Sequence, residues 1–208
     1  GSFYHYLSEQ EPELFAQISP EDIRSHRLAL FEQHPEFQHN VSLWRRESLR
    51  QLLATHLSAE RAEQLANSAF SVFIQARQGV TLFEDAETIL EQLAAQYMLI
   101  ALTNGNADLK LIGIDDLFAF HHSAETIGKR KPAPDMFAAA LRDADVSPSQ
   151  AMHIGDHPLE DVHAAREHGM HAVWANLVEM DWPVELERPR HHILTLDEIP
   201  GLAASFDK

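Results

Sequence analysis

The sequence predicts an α/β protein: a parallel sheet buried on both faces, preceded by a block that is helical throughout. Three observations predict it. As far as about Gly79, apolar residues such as Leu43, Trp44, Leu49, Leu52 and Leu53 recur at three- and four-residue steps, the period of an amphipathic helix. Beyond Gly79, short apolar runs alternate with amphipathic stretches, the grammar of strands joined by crossover helices. With 45% hydrophobic and 23% charged residues over 208 positions, there is enough apolar material for one domain, or one plus a smaller one.

The helical block, residues 3–80, divides into about four segments. Ser19-Pro20-Glu21-Asp22 reads as a helix start, with serine as cap, proline in the first turn and acids at the positive end. Ser58-Ala59-Glu60-Arg61 starts another. The second region, residues 81–208, opens with an amphipathic helix from Glu84 to Gln96 and a strand from Met98 to Leu102. A helix follows from Pro134 to about Asp145, then a strand from Ala151 to Ile154, a helix from Leu159 to Glu167 closed by Gly169, and a strand from His171 to Trp174. The tail from Asn176 to Lys208, with Pro183, Pro189 and Pro200, reads as connectors around a last short strand, Ile193 to Leu196. There are no repeats and no low-complexity tract.

Charge and composition narrow the function. Lys and Arg number 16 against 32 Asp and Glu, a formal charge of −16. A nucleic-acid-binding surface needs the opposite balance, because phosphates are held by lysine and arginine. There is no cysteine, so disulfides, thiol nucleophiles, zinc ribbons and iron–sulfur clusters drop out together. No run nears the roughly 18 apolar residues of a membrane span, and no basic-then-apolar leader opens the chain. The expectation is a cytoplasmic protein with no membrane and no nucleic-acid partner. Gly1-Ser2 reads as a cloning remnant.

Three clusters bear chemistry where such a sheet presents ligands, beyond the strand C-termini. Thr103-Asn104-Gly105-Asn106 follows a strand directly, and its hydroxyl, amide and tight turn offer several donors to one anion. An ordinary strand-ending turn is the alternative. Gly128-Lys129-Arg130-Lys131-Pro132-Ala133-Pro134-Asp135 concentrates three cations before a proline-stiffened helix entry, where a lysine can neutralise phosphate and keep a nearby carboxylate ionised. A solvated basic loop is the alternative. Ile154-Gly155-Asp156-His157-Pro158-Leu159-Glu160-Asp161 places Asp156 at a strand end and returns Asp161 from the first helical turn. Two carboxylates with few bases suit Mg²⁺, which prefers oxygen ligands and keeps waters; the alternative is a helix start that favours acids.

The order of these clusters resembles that of the haloacid dehalogenase-like hydrolases, Mg²⁺-dependent phosphatases that work through an aspartyl-phosphate. Thr103 is similar to the family's second motif, Lys131 to its third, and Asp156 with Asp161 to its fourth, in the spacing Gly-Asp-x-x-x-x-Asp. The likeness runs from about Leu82 to Trp174, and the helical block resembles the family's cap. It implies a Rossmann-like three-layer core with a helical cap domain, Mg²⁺ as cofactor, and a small phosphomonoester as substrate. Thr103, Asn104 and Gly105 would hold the phosphoryl group, Lys131 would bridge it to the nucleophile, and Asp156 and Asp161 would serve the metal. Arg130 competes with Lys131 for that task and ranks lower, because the family lysine directly precedes proline. Thr103 to Asn106 and His39-Asn40-Val41-Ser42-Leu43-Trp44-Arg45 are similar to bacterial phosphatases of flavin mononucleotide and of the phosphorylated riboflavin precursor. Trp44 and Arg45 could then meet a planar heterocycle, or be bundle core and surface respectively.

The family's first motif, a strand ending in Asp-x-Asp-x-Thr that carries nucleophile and general acid/base, is absent from the sequence. Asp143-Ala144-Asp145-Val146-Ser147 echoes it only formally, since helical periodicity precedes it. The resemblance implies that roughly 20 to 35 residues precede Phe3 in the natural protein, and that their strand lies centrally, between the strands at Met98–Leu102 and Ala151–Ile154. Leaving that lane open would strand two rows of backbone donors and acceptors. Rival readings are a non-catalytic binding relative, a haloacid dehalogenase, which would not need the Mg²⁺ carboxylates, and a histidine-based metal hydrolase drawing on His153, Asp156, His157, Asp161 and His163. The 14 histidines otherwise read as scattered on the surface, with His121-His122 and His191-His192 in connectors. Oligomeric state is left open.

Overall fold

The computed structural model describes residues 2–206; Gly1, Asp207 and Lys208 lie outside the described residues. The chain forms two compact units. One comprises the chain up to Val80 together with Gly105–Ile112; the other comprises Thr81–Asn104 and the chain from Gly113 onward.

The first unit is helical: α1 (Ser2–Gln10), α2 (Pro12–Phe15), α3 (Pro20–Gln33), α4 (Val41–Ala54) and α5 (Ala59–Gln78), joined by the short helix α7 (Leu109–Ile112). Its core gathers Leu7, Phe15, Leu49, Leu53, Leu65 and the small residues Ala62, Ala66 and Ala69 of α5. Alanines there let the neighbouring helices approach α5 closely. The start of α3 is a reciprocal cap: the Asp22 N–H donates to Ser19 Oγ at 3.1 Å, and the Ser19 N–H donates to Asp22 Oδ2 at 2.7 Å. Ser58 and Asn40 cap α5 and α4 by accepting from Arg61 N–H and Leu43 N–H.

The second unit is α/β. Its elements are α6 (Ala86–Ala94), β1 (Ile100–Thr103), β2 (Phe120–Ser123), α8 (Ala124–Ile127), α9 (Asp135–Ala144), β3 (Met152–Gly155), α10 (Ala164–Glu167), β4 (His171–Ala175), β5 (His191–Ile193) and α11 (Glu198–Phe206). All pairings are parallel: β1 with β2, β3 with β4, and β4 with β5. Two apolar layers flank β3 and β4. Phe137, Val162, Ala165 and Trp174 pack on one side; Ile89, Leu93, Val173, Ile193 and Ile199 pack on the other.

The sheet comes in two pieces, β1-β2 and β3-β4-β5, with no strand pairing between β1 and β3. Between them lies a cavity of about 410 Å³, lined by Ile100 and Leu102 from one strand and Met152 and Ile154 from the other. The two flanking strands therefore do not close on each other.

Several elements differ from the sequence reading. His121-His122 is not a connector: it lies in β2, whose residues pair with β1 in the register Thr103↔Ser123. Phe120 and His121 are exposed, so backbone pairing rather than burial makes this segment a strand, and no apolar run announces it. The last strand falls at His191–Ile193 rather than Ile193–Leu196, which also takes His191-His192 out of a connector. Ile193 is its buried end; the next two N–H groups, of Leu194 and Thr195, turn to Glu198 Oε1 at 2.8 and 3.1 Å and cap α11 instead of continuing the sheet. The helix expected from Leu159 begins at Pro158 with a wide turn through His163, because the N–H groups of Asp161 and Val162 both reach the carbonyl of His157. Asp143-Ala144-Asp145 is a helix end, as expected: α9 stops at Ala144 and Asp145 takes φ 54°.

Candidate active site

The site is built at the C-terminal ends of β1 and β3 in the α/β unit. Thr103 is the last residue of β1, and Asn104 follows it. The Asn104 side chain forms a two-way clamp on the backbone of Lys131: the Lys131 N–H donates to Asn104 Oδ1 at 2.7 Å, and Asn104 Nδ2 donates to the Lys131 carbonyl at 2.9 Å. An amide carries its donor and its acceptor on separate atoms, which lets it hold both sides of one peptide unit at once. The same Nδ2 reaches Glu160 Oε2 at 2.7 Å, and Glu160 Oε1 accepts from Arg130 Nη2 at 2.5 Å. The strand-end turn, the basic loop and the helix start are thus tied into one network.

The loop that delivers Lys131 leaves α8 through Gly128 at φ 80°, a left-handed turn that glycine adopts without strain. Lys131 is buried, 6% exposed, and its ammonium donates to Asp161 Oδ1 at 2.5 Å and to the Leu102 carbonyl at 3.0 Å. Asp161 is equally buried. It also accepts from His153 Nε2 on Oδ1 at 3.0 Å and from the His157 N–H on Oδ2 at 3.0 Å. Burial alone would raise the Asp161 carboxyl; the His153 hydrogen bond and the charges of Lys131 and His153 outweigh it and hold the group well below the usual carboxylate range.

Gly155 makes this packing possible. A Cβ built there would overlap the Asp161 carboxylate, so only glycine admits Asp161 against the end of β3. Asp156, the next residue, is exposed; its carbonyl accepts from Trp174 Nε1 at 2.9 Å, which fixes the backbone while the carboxylate faces outward. His157 caps the following turn, its Nδ1 accepting from the N–H groups of Leu159 and Glu160.

Of the residues singled out in the sequence, Asn104, Lys131 and Asp161 are brought into direct contact, with Thr103 and Asp156 adjoining them in the chain. Gly105 and Arg45 belong to the helical unit. Two participants escaped the sequence reading. His153 is 8% exposed rather than on the surface: strand alternation sends Met152 and Ile154 to one face and His153 to the other, edge-on to Phe137 at 5.1 Å. That alternation was the available signal. Glu160 carried no signal beyond being one acid among several. Arg130 turns to Glu160 and not to Asp161, in keeping with its lower rank.

As a metal centre the donor set is lean. Among the described residues, no three acidic or histidine side chains assemble as a cage. Asp156 presents an outward carboxylate, whereas the oxygens of Asp161 are engaged by Lys131, His153 and His157. This fits a hard cation held by few protein ligands and mostly by water, the habit of Mg²⁺, with Asp161 as the partner of the lysine.

The family model of the haloacid dehalogenase-like hydrolases matches residues 3–169. The chain belongs to the haloacid dehalogenase-like hydrolases. Among curated proteins, it is 37% identical over 155 residues to the 5-amino-6-(5-phospho-D-ribitylamino)uracil phosphatase YigB of Escherichia coli K12, covering 74% of this chain and 65% of that protein. It is 36% identical over 125 residues to the phosphoserine phosphatase of Thermus thermophilus, covering 56% of this chain and 48% of that protein. The chain thus spans half to just under two thirds of these relatives' length. Among solved structures, a 2-haloacid dehalogenase from Pseudomonas syringae pv. Tomato DC3000 superposes with a TM-score of 0.92 at 36% identity, over 99% of this chain and 89% of that one. No helix among the described residues is long and apolar enough to cross a membrane.

Proposed function

We propose that this member of the hydrolase family is the greater part of a phosphomonoesterase acting on a small phosphorylated metabolite. The observation that carries the reading is the Asn104–Lys131–Asp161 network. It sets one buried ammonium, positioned from two strand ends, beside a hydroxyl turn that can receive a phosphoryl oxygen. In this reading, Thr103 and the backbone around Asn104 hydrogen-bond the phosphoryl oxygens. Lys131 stabilises the charge that builds on them as the phosphorus–oxygen bond to the leaving alcohol breaks. Asp161 keeps that ammonium charged and in place.

The nucleophilic aspartate, and the second carboxylate that protonates the leaving oxygen, come in this reading from a strand pairing between β1 and β3. The cavity of about 410 Å³ supports this, since Ile100 and Leu102 of β1 and Met152 and Ile154 of β3 line it and the two strands do not pair with each other. Attack of the aspartate on phosphorus would form an aspartyl-phosphate as the bond to the leaving alcohol breaks. Water would then displace the aspartate to free phosphate, so one difficult displacement becomes two easier ones. Asp156 would take Mg²⁺ together with the incoming aspartate; when bound, the ion supplies neutralising charge at the phosphoryl oxygens. The likeness to YigB favours a phosphate ester of a pyrimidine or flavin type as substrate.

The likeness to a 2-haloacid dehalogenase keeps a second reading in play, in which a chloro acid replaces the phosphate ester. One experiment separates them. The natural protein containing this region is assayed on flavin mononucleotide, nucleoside monophosphates, sugar phosphates and 2-chloropropionate, with and without Mg²⁺. Phosphate release that needs Mg²⁺ is the expected result. Chloride release with no phosphate release would replace the proposal with the dehalogenase reading, and neither activity would leave a binding protein.

A further inference from the structure

After β4 the chain runs through residues 176–190 without a helix or strand before β5 begins at His191. Connections of this length are uncommon in compact domains and usually carry function. This one is tied at both ends. Asn176 holds Met180 from two sides, its Oδ1 accepting from the Met180 N–H at 2.7 Å and its Nδ2 donating to the Met180 carbonyl at 3.0 Å. Glu179, just before, takes φ 53°, a left-handed conformation that costs energy in a residue with a side chain. At the other end Arg166 of α10 donates to the Glu187 carbonyl at 3.2 Å and pairs with the Glu187 carboxylate at 2.7 Å.

Between these ties one side chain is buried. Trp182 is 7% exposed, whereas Val184 beside it is 92% exposed. The Trp182 Nε1 donates to the Leu186 carbonyl at 3.0 Å, and its ring meets that of Trp174 edge-on at 5.0 Å. Trp174 stands opposite Gly155 in the register of β4 on β3, and its Nε1 reaches the Asp156 carbonyl. The peptide unit that joins Asp156 to His157 is therefore pinned at both edges: its carbonyl by Trp174 at 2.9 Å and its N–H by Asp161 Oδ2 at 3.0 Å. A peptide unit is planar, so pinning both edges fixes the backbone angle that aims the Asp156 side chain. The Asp161 bond is anchored by an ion pair; the Trp174 bond is neutral and depends on the packing that holds the indole. Trp182 supplies that packing. Ordering so long a segment, with strain at Glu179, to bury one indole gains little stability by itself.

We propose that Trp182, acting through Trp174, is a positioning residue for Asp156 and thereby sets the affinity of the site for Mg²⁺. The metal part of this inference rests on the phosphatase reading; the link from Trp182 to the Asp156 backbone does not.

The test has two readouts. In the ¹⁵N-labelled chain the three tryptophans, Trp44, Trp174 and Trp182, each give an indole N–H resonance. That of Trp174 should exchange with solvent at least about tenfold faster in Trp182→Leu. Trp182→Phe keeps an aromatic edge against Trp174 and should restore slow exchange. In a longer chain carrying the nucleophile strand ahead of these residues, calorimetry should show Mg²⁺ bound about tenfold more weakly in Trp182→Leu and at near-parental strength in Trp182→Phe. The KM for the phosphate ester should not follow that change. Arg166→Gln, which frees the loop from α10 without touching either tryptophan, should give both changes in smaller measure. Unchanged indole exchange in Trp182→Leu and Arg166→Gln would overturn the proposal. Faster exchange with unchanged Mg²⁺ affinity would also overturn it and leave Trp182 as packing alone. A parent chain that binds no Mg²⁺ would overturn the metal role of Asp156 together with the affinity claim, and the exchange result distinguishes that failure from a failure of the link.

Discussion

Lys131 Nζ lies 2.5 Å from Asp161 Oδ1, and both side chains are buried. A buried ion pair is a poor device for stability alone, since desolvating two charges offsets much of their attraction. It is a good device for holding a cation at one point, and the Leu102 carbonyl, His153 and the His157 N–H supply the remaining hydrogen bonds. The pair therefore reads as equipment for a site rather than for the core.

Removing one member leaves the other stranded. Lys131→Met is expected to cost about 3–5 kcal/mol, because Asp161 stays buried with its main countercharge gone. Urea denaturation of Lys131→Met, Asp161→Asn and the double variant checks this. The double variant should recover at least about 1 kcal/mol of the summed losses, and strict additivity would show that the two groups do not interact. In the natural protein, Lys131→Met should lower phosphate-ester turnover by about 10²-fold or more.

The depressed Asp161 carboxyl makes stability fall in acid. Its pKa is lower in the folded chain than the ordinary 3.8, so the folded state gains from this group above the unfolded value. That gain is lost as pH drops below about 4 toward the folded pKa. Denaturation midpoints measured from pH 6 to pH 2 should fall, and Asp161→Asn should flatten part of that limb. An unchanged slope would remove Asp161 as its source.

Much of this site was legible in the residues, and the illegible part has a physical cause. Thr103, Lys131, Asp156 and Asp161 sit at strand ends and helix starts, places marked by local chemistry: a glycine before Asp156, a proline after Lys131. Glu160 acts on Asn104, 56 positions distant, and no local pattern encodes such a partner, whereas His153 meets Asp161 only eight positions on and strand alternation alone marks it as inward. The strand β2 was missed for a related reason. Phe120-His121-His122-Ser123 becomes a strand only because β1 offers it backbone partners.

Asn104 is expected to matter for position more than for charge. Asn104→Ala would leave the Lys131 N–H and carbonyl unpaired and release Glu160, costing about 1–3 kcal/mol. Asn104→Asp would keep the acceptor for the Lys131 N–H but lose the donor, and would set a second carboxylate against Glu160. The expected order of thermal stability is Asn, then Ala, then Asp. An Asp variant as stable as the parent would mean that the amide donor contributes nothing.

The lane between β1 and β3 predicts a stability difference. A protein carrying an apolar strand there would satisfy two strand edges and fill much of the cavity of about 410 Å³. A longer chain carrying such a strand ahead of these 208 residues should therefore show a higher denaturation midpoint and less binding of a hydrophobic dye than the 208 residues alone. Equal dye binding by the two would place the strand elsewhere.

Gly155→Ala tests the geometry with a single methyl group. Its Cβ would overlap the Asp161 carboxyl carbon and Cβ, and Asp161 has little room to yield, being held by Lys131, His153 and the His157 N–H. The strand end must then move or the ion pair must open, at about 1–3 kcal/mol for overpacking and more if the pair breaks. If the pair opens, the acid limb attributed to Asp161 should shrink in the same variant, tying the two measurements together. A Gly155→Ala protein with unchanged stability and an unchanged acid limb would mean that Asp161 does not pack against the end of β3.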